Sequence, residues 1–282
     1  MRSYLYVPGD APAKLAGSLT RGADAVIADL EDAVPAAAKS AARLAVRSWL
    51  SSLPDAGRPA VWVRINPGEA GLEDARAVAV PGLAGVCVAK AETAGELTAL
   101  AAVLATAEEA AGLPVGGIAV VPLLESAAAV LNAVELARAP RVARLQLGEA
   151  DLRADLGLTP GPDERELLPI RSHVVVASAA AGIAPPVAPV STDYRDLDAL
   201  RSSTEALRRL GFVGRACIHP AQLPVVNEVF TPSPERLAEA ADLVRRYDAA
   251  VASGAAVLVG ADGRMVDAAV VRAARRLLSR PH

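Results

Sequence analysis

Two acidic residues stand where apolar runs end. Glu125 closes the run Ile118–Leu124, and Asp151 lies just past the run Arg144–Gly148. A carboxylate beside apolar neighbours is poorly solvated, and two carboxylates near each other repel. A hard divalent cation relieves both problems. With no histidine at either position, the donor set suits Mg²⁺, which takes one or two carboxylates, waters and substrate oxygens. The competing explanation for each acid is a helix N-cap or a salt bridge. Arg64, at the exit of the apolar segment Val61–Asn66, carries a planar guanidinium that can fork onto a substrate carboxylate or pair with an acid on a neighbouring strand. The run Asp29-Leu30-Glu31-Asp32 is more acidic than a simple cap requires. Asp29, Glu31 and Asp32 are candidates to orient Arg64, contact metal-bound water or move protons; the alternative is a solvated acidic loop. His219, in Cys217-Ile218-His219-Pro220, is either a satisfied structural histidine or part of a pocket wall. Lys90 is either a Schiff-base amine or an ion-pair partner at the rim.

The segments carrying these side chains must converge. Strand-like runs occur at Ser3–Val7, Ala25–Leu30, Val61–Ile65, Gly85–Ala89, Ile118–Leu124, Arg144–Leu147, Ile183–Val190 and Ala216–Ile218. Between them lie alanine-rich segments of helical periodicity: Ala11–Arg21, Ala36–Leu50, Thr93–Ala111, Ala127–Ala139, Glu164–Ala181 and Leu197–Leu210. Near-continuous apolar strands alternating with helices predict an α/β fold with a parallel sheet covered on its faces. Eight strands predict a closed (β/α)8 TIM barrel, typically about 250 residues. A doubly wound sheet is disfavoured, because no G-x-G-x-x-G or P-loop follows any strand. The strand ends also carry polar residues in succession, from Asp10 through Asn66 and Lys90 to Asp193 and His219, which is how a barrel builds its active rim.

Beyond Phe230 the pattern changes. A long helix over Glu235–Ser253 is followed by Ala255–Gly260 and Arg264–Val266, which flank the hairpin signal Asp262-Gly263. Asp267 then stands as the N-cap of a last helix, Ala268–Ser279. The expected division is a barrel over 1–230 and a C-terminal helix–hairpin–helix extension over 231–282, packed on the barrel or on a neighbouring subunit.

Composition narrows the function classes. The 282 residues are 52% hydrophobic and 22% charged with a formal charge of −3, which is globular and not disordered. Basic residues are scattered and no aromatic lies in a basic cluster, so nucleic-acid binding has no footprint. The longest apolar stretch, Val174–Val190, is interrupted by Pro185 and Pro186, and no membrane span is expected. Met1-Arg2-Ser3 leads straight into a strand without the pattern of a signal peptide. Cys87 and Cys217 lie inside apolar runs and read as small buried hydrophobes. The expected compartment is the cytoplasm.

The segments Arg2–Gly9, Gly22–Val34, Val63–Pro67, Leu124–Ser126, Leu147–Leu152, Gly211–Pro220 and Asp262–Asp267 together resemble the citrate lyase beta-subunit family, within the HpcH/HpaI aldolases and CoA-ester lyases. The resemblance covers essentially the whole chain, with motifs in family order. It implies a modified TIM barrel, a homotrimer or hexamer, and Mg²⁺ on Glu125 and Asp151. It implies that Arg64 binds the oxo-acid part of the substrate; Tyr6, Glu125 and His219 are the further candidate substrate contacts. It also implies that Asp267 reaches a neighbouring subunit's site as acid/base, against its plainer reading as a cap. Ala33-Val34 follows Glu31-Asp32 where hydroxy-oxo-acid aldolases of the superfamily carry a histidine. The implied reaction is cleavage of a 3-hydroxy acyl thioester, on CoA or an acyl carrier, to an acetyl thioester and oxaloacetate, pyruvate or glyoxylate. A beta subunit would act with citrate lyase alpha and gamma subunits. The alternatives are a stand-alone malyl-CoA or citramalyl-CoA lyase and, in another class, a non-catalytic metabolite-binding or scaffold subunit.

Overall fold

The computed structural model describes residues 1–253, 258–259 and 265–279. Eight strands hydrogen-bond in chain order: β1 (Ser3–Pro8), β2 (Ala25–Asp29), β3 (Ala60–Ile65), β4 (Leu83–Val88), β5 (Ala119–Leu124), β6 (Gln146–Leu147), β7 (Val187–Ala188) and β8 (Gly214–Cys217). Every pairing is parallel, and β8 closes the barrel on β1. The intervening helices are α1 (Pro12–Ser18), α2 (Lys39–Ser51), α3 (Gly68–Val78), α4 (Ala94–Ala110), α5 (Ala127–Leu131), α6 (Ala133–Arg138), α7 (Glu149–Leu156), α8 (Leu168–Ala181), α9 (Leu197–Leu210) and α10 (Leu223–Phe230). The expected (β/α)8 barrel is the architecture found.

Strand residues point alternately to the two faces of the sheet, and in a closed barrel one face is the interior. Tyr4, Ala25, Ile27, Trp62, Cys87, Val121, Leu123, Val187 and Ala216 form one buried cluster at inward positions. The alternate residues Val26, Ala28, Val61, Val63, Val86 and Val120 are also fully buried, as strands covered by helices on their outer face require. Gly85 leaves room for the Trp62 indole, since a Cβ there would lie 2.2 Å from the ring. Burial pushes both cysteine thiols to about 12, so neither is a thiolate near neutral pH.

Inward parity also builds the rim. One step above Ile27 on β2 is Asp29, and one step above Trp62 on β3 is Arg64; the register pairs Asp29 directly with Arg64. Leu123 on β5 pairs with Gln146 on β6. The next inward step on each side brings Glu125 beside Gly148.

Several elements differ from the sequence expectation. β7 is confined to Val187–Ala188, because Pro185, Pro186 and Pro189 supply no N–H to a ladder. The expected helix over Ala127–Ala139 breaks at Asn132, whose Nδ2 donates to Glu92 O at 3.0 Å. Helices α3, α7 and α10 were not expected. The first is masked by Gly68 and Gly71, which lower helical propensity, and the second is a short helix opening immediately after β6. Among the described residues no helix is long and apolar enough to cross a membrane.

The chain divides into two compact units, Met1–Val229 and Phe230–His282. In the second, α11 (Pro234–Ala252) is followed by β9 (Leu258–Val259), antiparallel to β10 (Met265–Val266), and by α12 (Ala268–Leu278). The Asp262-Gly263 turn lies outside the described residues. Asp267 is the N-cap of α12: its Oδ1 accepts from the N–H groups of Ala269 (2.8 Å) and Val270 (3.1 Å). These bonds, Val270 first, hold its carboxyl below the ordinary value.

Candidate active site

At the C-terminal end of the barrel, a cavity of about 400 Å³ is lined by residues including Tyr6, Asp29, Asp32, Arg64, Glu125, Gln146, Gly148 and Asp151. A larger hollow of about 600 Å³ lies among α2, α3 and α4, but its lining holds no acid. Chemistry therefore concentrates at the rim.

Arg64 is the centre of an ion-pair cluster. Its Nε and Nη2 donate to the two oxygens of Asp29 at 2.7 and 2.6 Å, a bidentate fork set by the β2–β3 register. Its Nη1 lies 3.0 Å from Glu31 and 3.5 Å from Asp32. The guanidinium is 5.3 Å from the Tyr6 ring centroid. Burial works against its charge, but Asp29 outweighs burial and holds the Arg64 pKa above its ordinary value. The acidic loop is built from behind: Lys39 Nζ donates to the carbonyls of Leu30 and Glu31, both at 3.0 Å, and to Asn66 Oδ1. Asn66 Nδ2 donates to Leu30 O at 3.0 Å and to Asp74 Oδ2 at 2.7 Å. The loop is therefore not a solvated acidic stretch. Asp29 and Glu31 are buried, and Asp32 alone faces out.

Glu125 is buried without an ion-pair partner among the described residues. Its Oε2 accepts from the backbone N–H of Lys90 at 2.8 Å. Its other side packs over Gly148, where a Cβ would lie 2.4 Å from Glu125 Cγ and 2.7 Å from Oε1. Burial pushes its pKa up to about 7, with Asp151 and Glu31 adding repulsion against the Lys90 N–H and Arg64. Glu31 is also raised, by burial first and then by its bond with Asp32, against the pull of Lys90 and Arg64.

Asp151 lies in the first turn of α7 and is exposed on the same cavity as Glu125. No group of three or more His, Cys, Asp or Glu converges in a metal-binding cluster among the described residues. A Mg²⁺ ion needs no such cluster, because one or two carboxylates with waters and substrate oxygens complete its octahedron. Glu125 fits that requirement: it is a desolvated carboxylate with no ion-pair partner among the described residues, held on one oxygen and open on the cavity side. Glu149 does not, because Arg171 occupies both its oxygens at 2.6 and 2.8 Å.

Tyr6 lines the cavity, and its hydroxyl accepts from Gln146 Nε2 at 2.8 Å. Burial holds its pKa well above the ordinary value. His219 is exposed and is not part of the cavity lining. It stacks on Tyr194 at 4.6 Å, and its Nδ1 accepts from Ala221 N at 3.1 Å, capping a short 3₁₀ turn. Sequence reasoning missed Gly148, Gln146 and the Glu149–Arg171 pair. A polar residue at an inward position of an apolar run is the signal that would have found Gln146, and a glycine between strand and helix the one for Gly148.

Comparison with known proteins adds four findings. A model of the HpcH/HpaI aldolase/citrate lyase family matches residues 2–220. The citrate lyase subunit beta of Leuconostoc mesenteroides is 34% identical over 98% of this chain and 92% of its own length. A (3S)-malyl-CoA thioesterase of Cereibacter sphaeroides is 32% identical over 99% of this chain and 94% of its own. Among solved structures, CitE from Mycobacterium tuberculosis, in complex with magnesium, acetoacetate and coenzyme A, aligns at a TM-score of 0.76 and 31% identity, over 98% of this chain and 96% of that one.

Proposed function

From the premise that this chain belongs to the HpcH/HpaI aldolase/citrate lyase family, we propose that it is a Mg²⁺-dependent carbon–carbon lyase. It cleaves a 3-hydroxy acyl thioester to an oxo acid and an acetyl thioester. The observation that carries this reading is Glu125, a buried carboxylate with no ion-pair partner among the described residues, on one cavity with the Arg64–Asp29 fork.

Glu125 and Asp151 would hold the Mg²⁺. When bound, it supplies a Lewis acid for the hydroxyl and carboxylate oxygens of the substrate. Arg64 orients that same end. Its fork is occupied by Asp29, so the substrate carboxylate accepts from the outer N–H groups of Nη1 and Nη2. As the C–C bond breaks, the hydroxyl oxygen becomes the oxo group and the bonding electrons pass to the thioester enolate. Asp32, the exposed acid of the loop, would take the hydroxyl proton: its contacts with Arg64 (3.5 Å) and Lys90 (3.6 Å) are longer than those that hold the buried Asp29 and Glu31. Asp267 of a neighbouring subunit protonates the enolate carbon. That places the C-terminal unit at a subunit boundary, in a cytoplasmic homotrimer or hexamer.

Citryl-thioester cleavage, as a beta subunit with alpha and gamma partners, follows the likeness to the citrate lyase subunit beta of Leuconostoc mesenteroides. A specific observation favours the second reading, a stand-alone malyl-CoA or citramalyl-CoA lyase. Among the described residues lining the cavity, Arg64 is the one cation, which suits an oxo acid with a single carboxylate. Turnover of citryl-, malyl- and citramalyl-CoA by the purified protein, with Mg²⁺ and with excess EDTA, separates the readings. Cleavage undiminished in EDTA would refute the metal assignment, and no cleavage of any of the three would favour a binding or scaffold role.

A further inference from the structure

We infer that Lys90 is a positioning residue for Glu125: its ammonium, paired with Glu31, holds a left-handed turn whose backbone N–H fixes one oxygen of the Glu125 carboxylate. The inference rests on the reading of Glu125 as a cation ligand.

Lys90 follows β4 with φ of 51°, a region uncommon outside Gly, Asn and Asp. Two other described non-glycine residues have positive φ, Arg141 and Glu164. Each of the three is tied by an ion pair. Arg141 meets Glu108 at 2.8 Å, Glu164 meets Arg171 at 2.8 Å, and Lys90 Nζ meets Glu31 Oε1 at 2.7 Å. Glycine would adopt each turn with less strain, so what the chain gains at these positions is the charged side chain. Lys90 differs from the other two in what its turn delivers, which is an N–H 2.8 Å from Glu125 Oε2. The far oxygen of Glu31 lies 3.0 Å from Arg64 Nη1 and accepts from Asp32 N at 2.8 Å. A continuous chain of contacts therefore runs from Glu125 through Lys90 and Glu31 to Arg64 and Asp29. It joins the group that would hold the cation to the group that would hold the oxo acid.

Electrostatics and positioning act in opposite directions here, and that makes the inference testable. An ammonium beside a cation site repels the cation, so removing it without other effect strengthens Mg²⁺ binding. Removing a positioning residue weakens it. Mg²⁺ affinity is measured by titration calorimetry on the full chain and on Lys90→Gly, Lys90→Arg, Glu31→Gln and the Lys90→Gly/Glu31→Gln double variant, with thermal unfolding in EDTA as the control for folding. Lys90→Gly keeps the N–H and a permitted backbone, so it should melt near the unmodified protein. Its Mg²⁺ affinity should nevertheless fall about tenfold, Lys90→Arg should recover most of it, and the double variant should lose no more than the worse single one, because both changes break one chain. Unchanged or tighter binding in Lys90→Gly, or additive losses in the double variant, would overturn the role of Lys90 and leave the lyase reading standing. No Mg²⁺ binding by the unmodified protein would overturn both.

Discussion

Glu125 makes the stability of the cation-free protein depend on pH in a direction opposite to that of a salt-bridged carboxylate. In the folded chain its pKa is pushed up to about 7 from an ordinary value of 4.5. In the unfolded chain the side chain is hydrated and returns to the lower value. Between the two, the native state keeps a proton that the unfolded state has released, so stability falls as pH rises through this window. The separation corresponds to about 3 kcal/mol, absent below the lower value and fully developed above the higher. For a chain of this size that is a melting temperature lower by roughly 6–12 °C. Calorimetric unfolding in EDTA from about pH 5 to about pH 8, compared between the unmodified protein and Glu125→Gln, isolates the contribution from all other titrating groups. Saturating Mg²⁺ should restore the loss, because the cation binds the carboxylate once its proton has left, and its affinity should climb with pH up to about 7. Parallel pH profiles in the two proteins, or a loss that persists undiminished in Mg²⁺, would refute the reasoning.

Gly148→Ala places a methyl group 2.4 Å from Glu125 Cγ; it should cost about 1–3 kcal/mol in denaturant unfolding and abolish Mg²⁺ binding in calorimetry. Arg64→Ala leaves Asp29 buried without its fork and should destabilise by about 3–5 kcal/mol, whereas Arg64→Lys should fold yet lose at least about 100-fold in kcat/KM, because an ammonium cannot replace the planar donors. Asp267→Asn retains the cap of α12 and should melt as the unmodified protein does, while turnover falls about 100-fold or more. A fully active Asp267→Asn would return that residue to capping alone, and Asp267→Ala should lower the melting temperature as well.

The barrel was legible because its strands are buried on both faces and stand out as apolar runs between alanine-rich helices. Glu125 and Arg64 were legible for the same reason: a charged residue ending such a run has nowhere to go but the rim. What sequence could not supply is which acid goes with which cation. The Asp29–Arg64 fork comes from the β2–β3 register, which emerges only when the barrel closes. Asp151 was expected just past a strand and lies in the first turn of α7, a helix too short to show periodicity. His219 stands at a strand end by sequence, yet Pro220 turns the chain into a 3₁₀ segment that takes up its ring nitrogen. Lys90 reads from sequence as either a Schiff-base amine or an ion-pair partner, and it is paired with Glu31, but no sequence pattern announces a lysine with positive φ.

The inward parity of the strands has a consequence for altering this protein. Tyr6, Gln146 and Leu123 are at once the top layer of the packed interior and the floor beneath the carboxylates. Reaction chamber and hydrophobic column are one continuous stack, with no neutral layer between them. A truncation at Leu123 or Gln146 meant to admit a bulkier oxo acid opens a void directly under Glu125, and selectivity and rigidity change together. Reshaping the chamber independently of the fold is therefore open mainly from above, through residues such as Ile218, which lines the cavity while exposed and outside the core cluster.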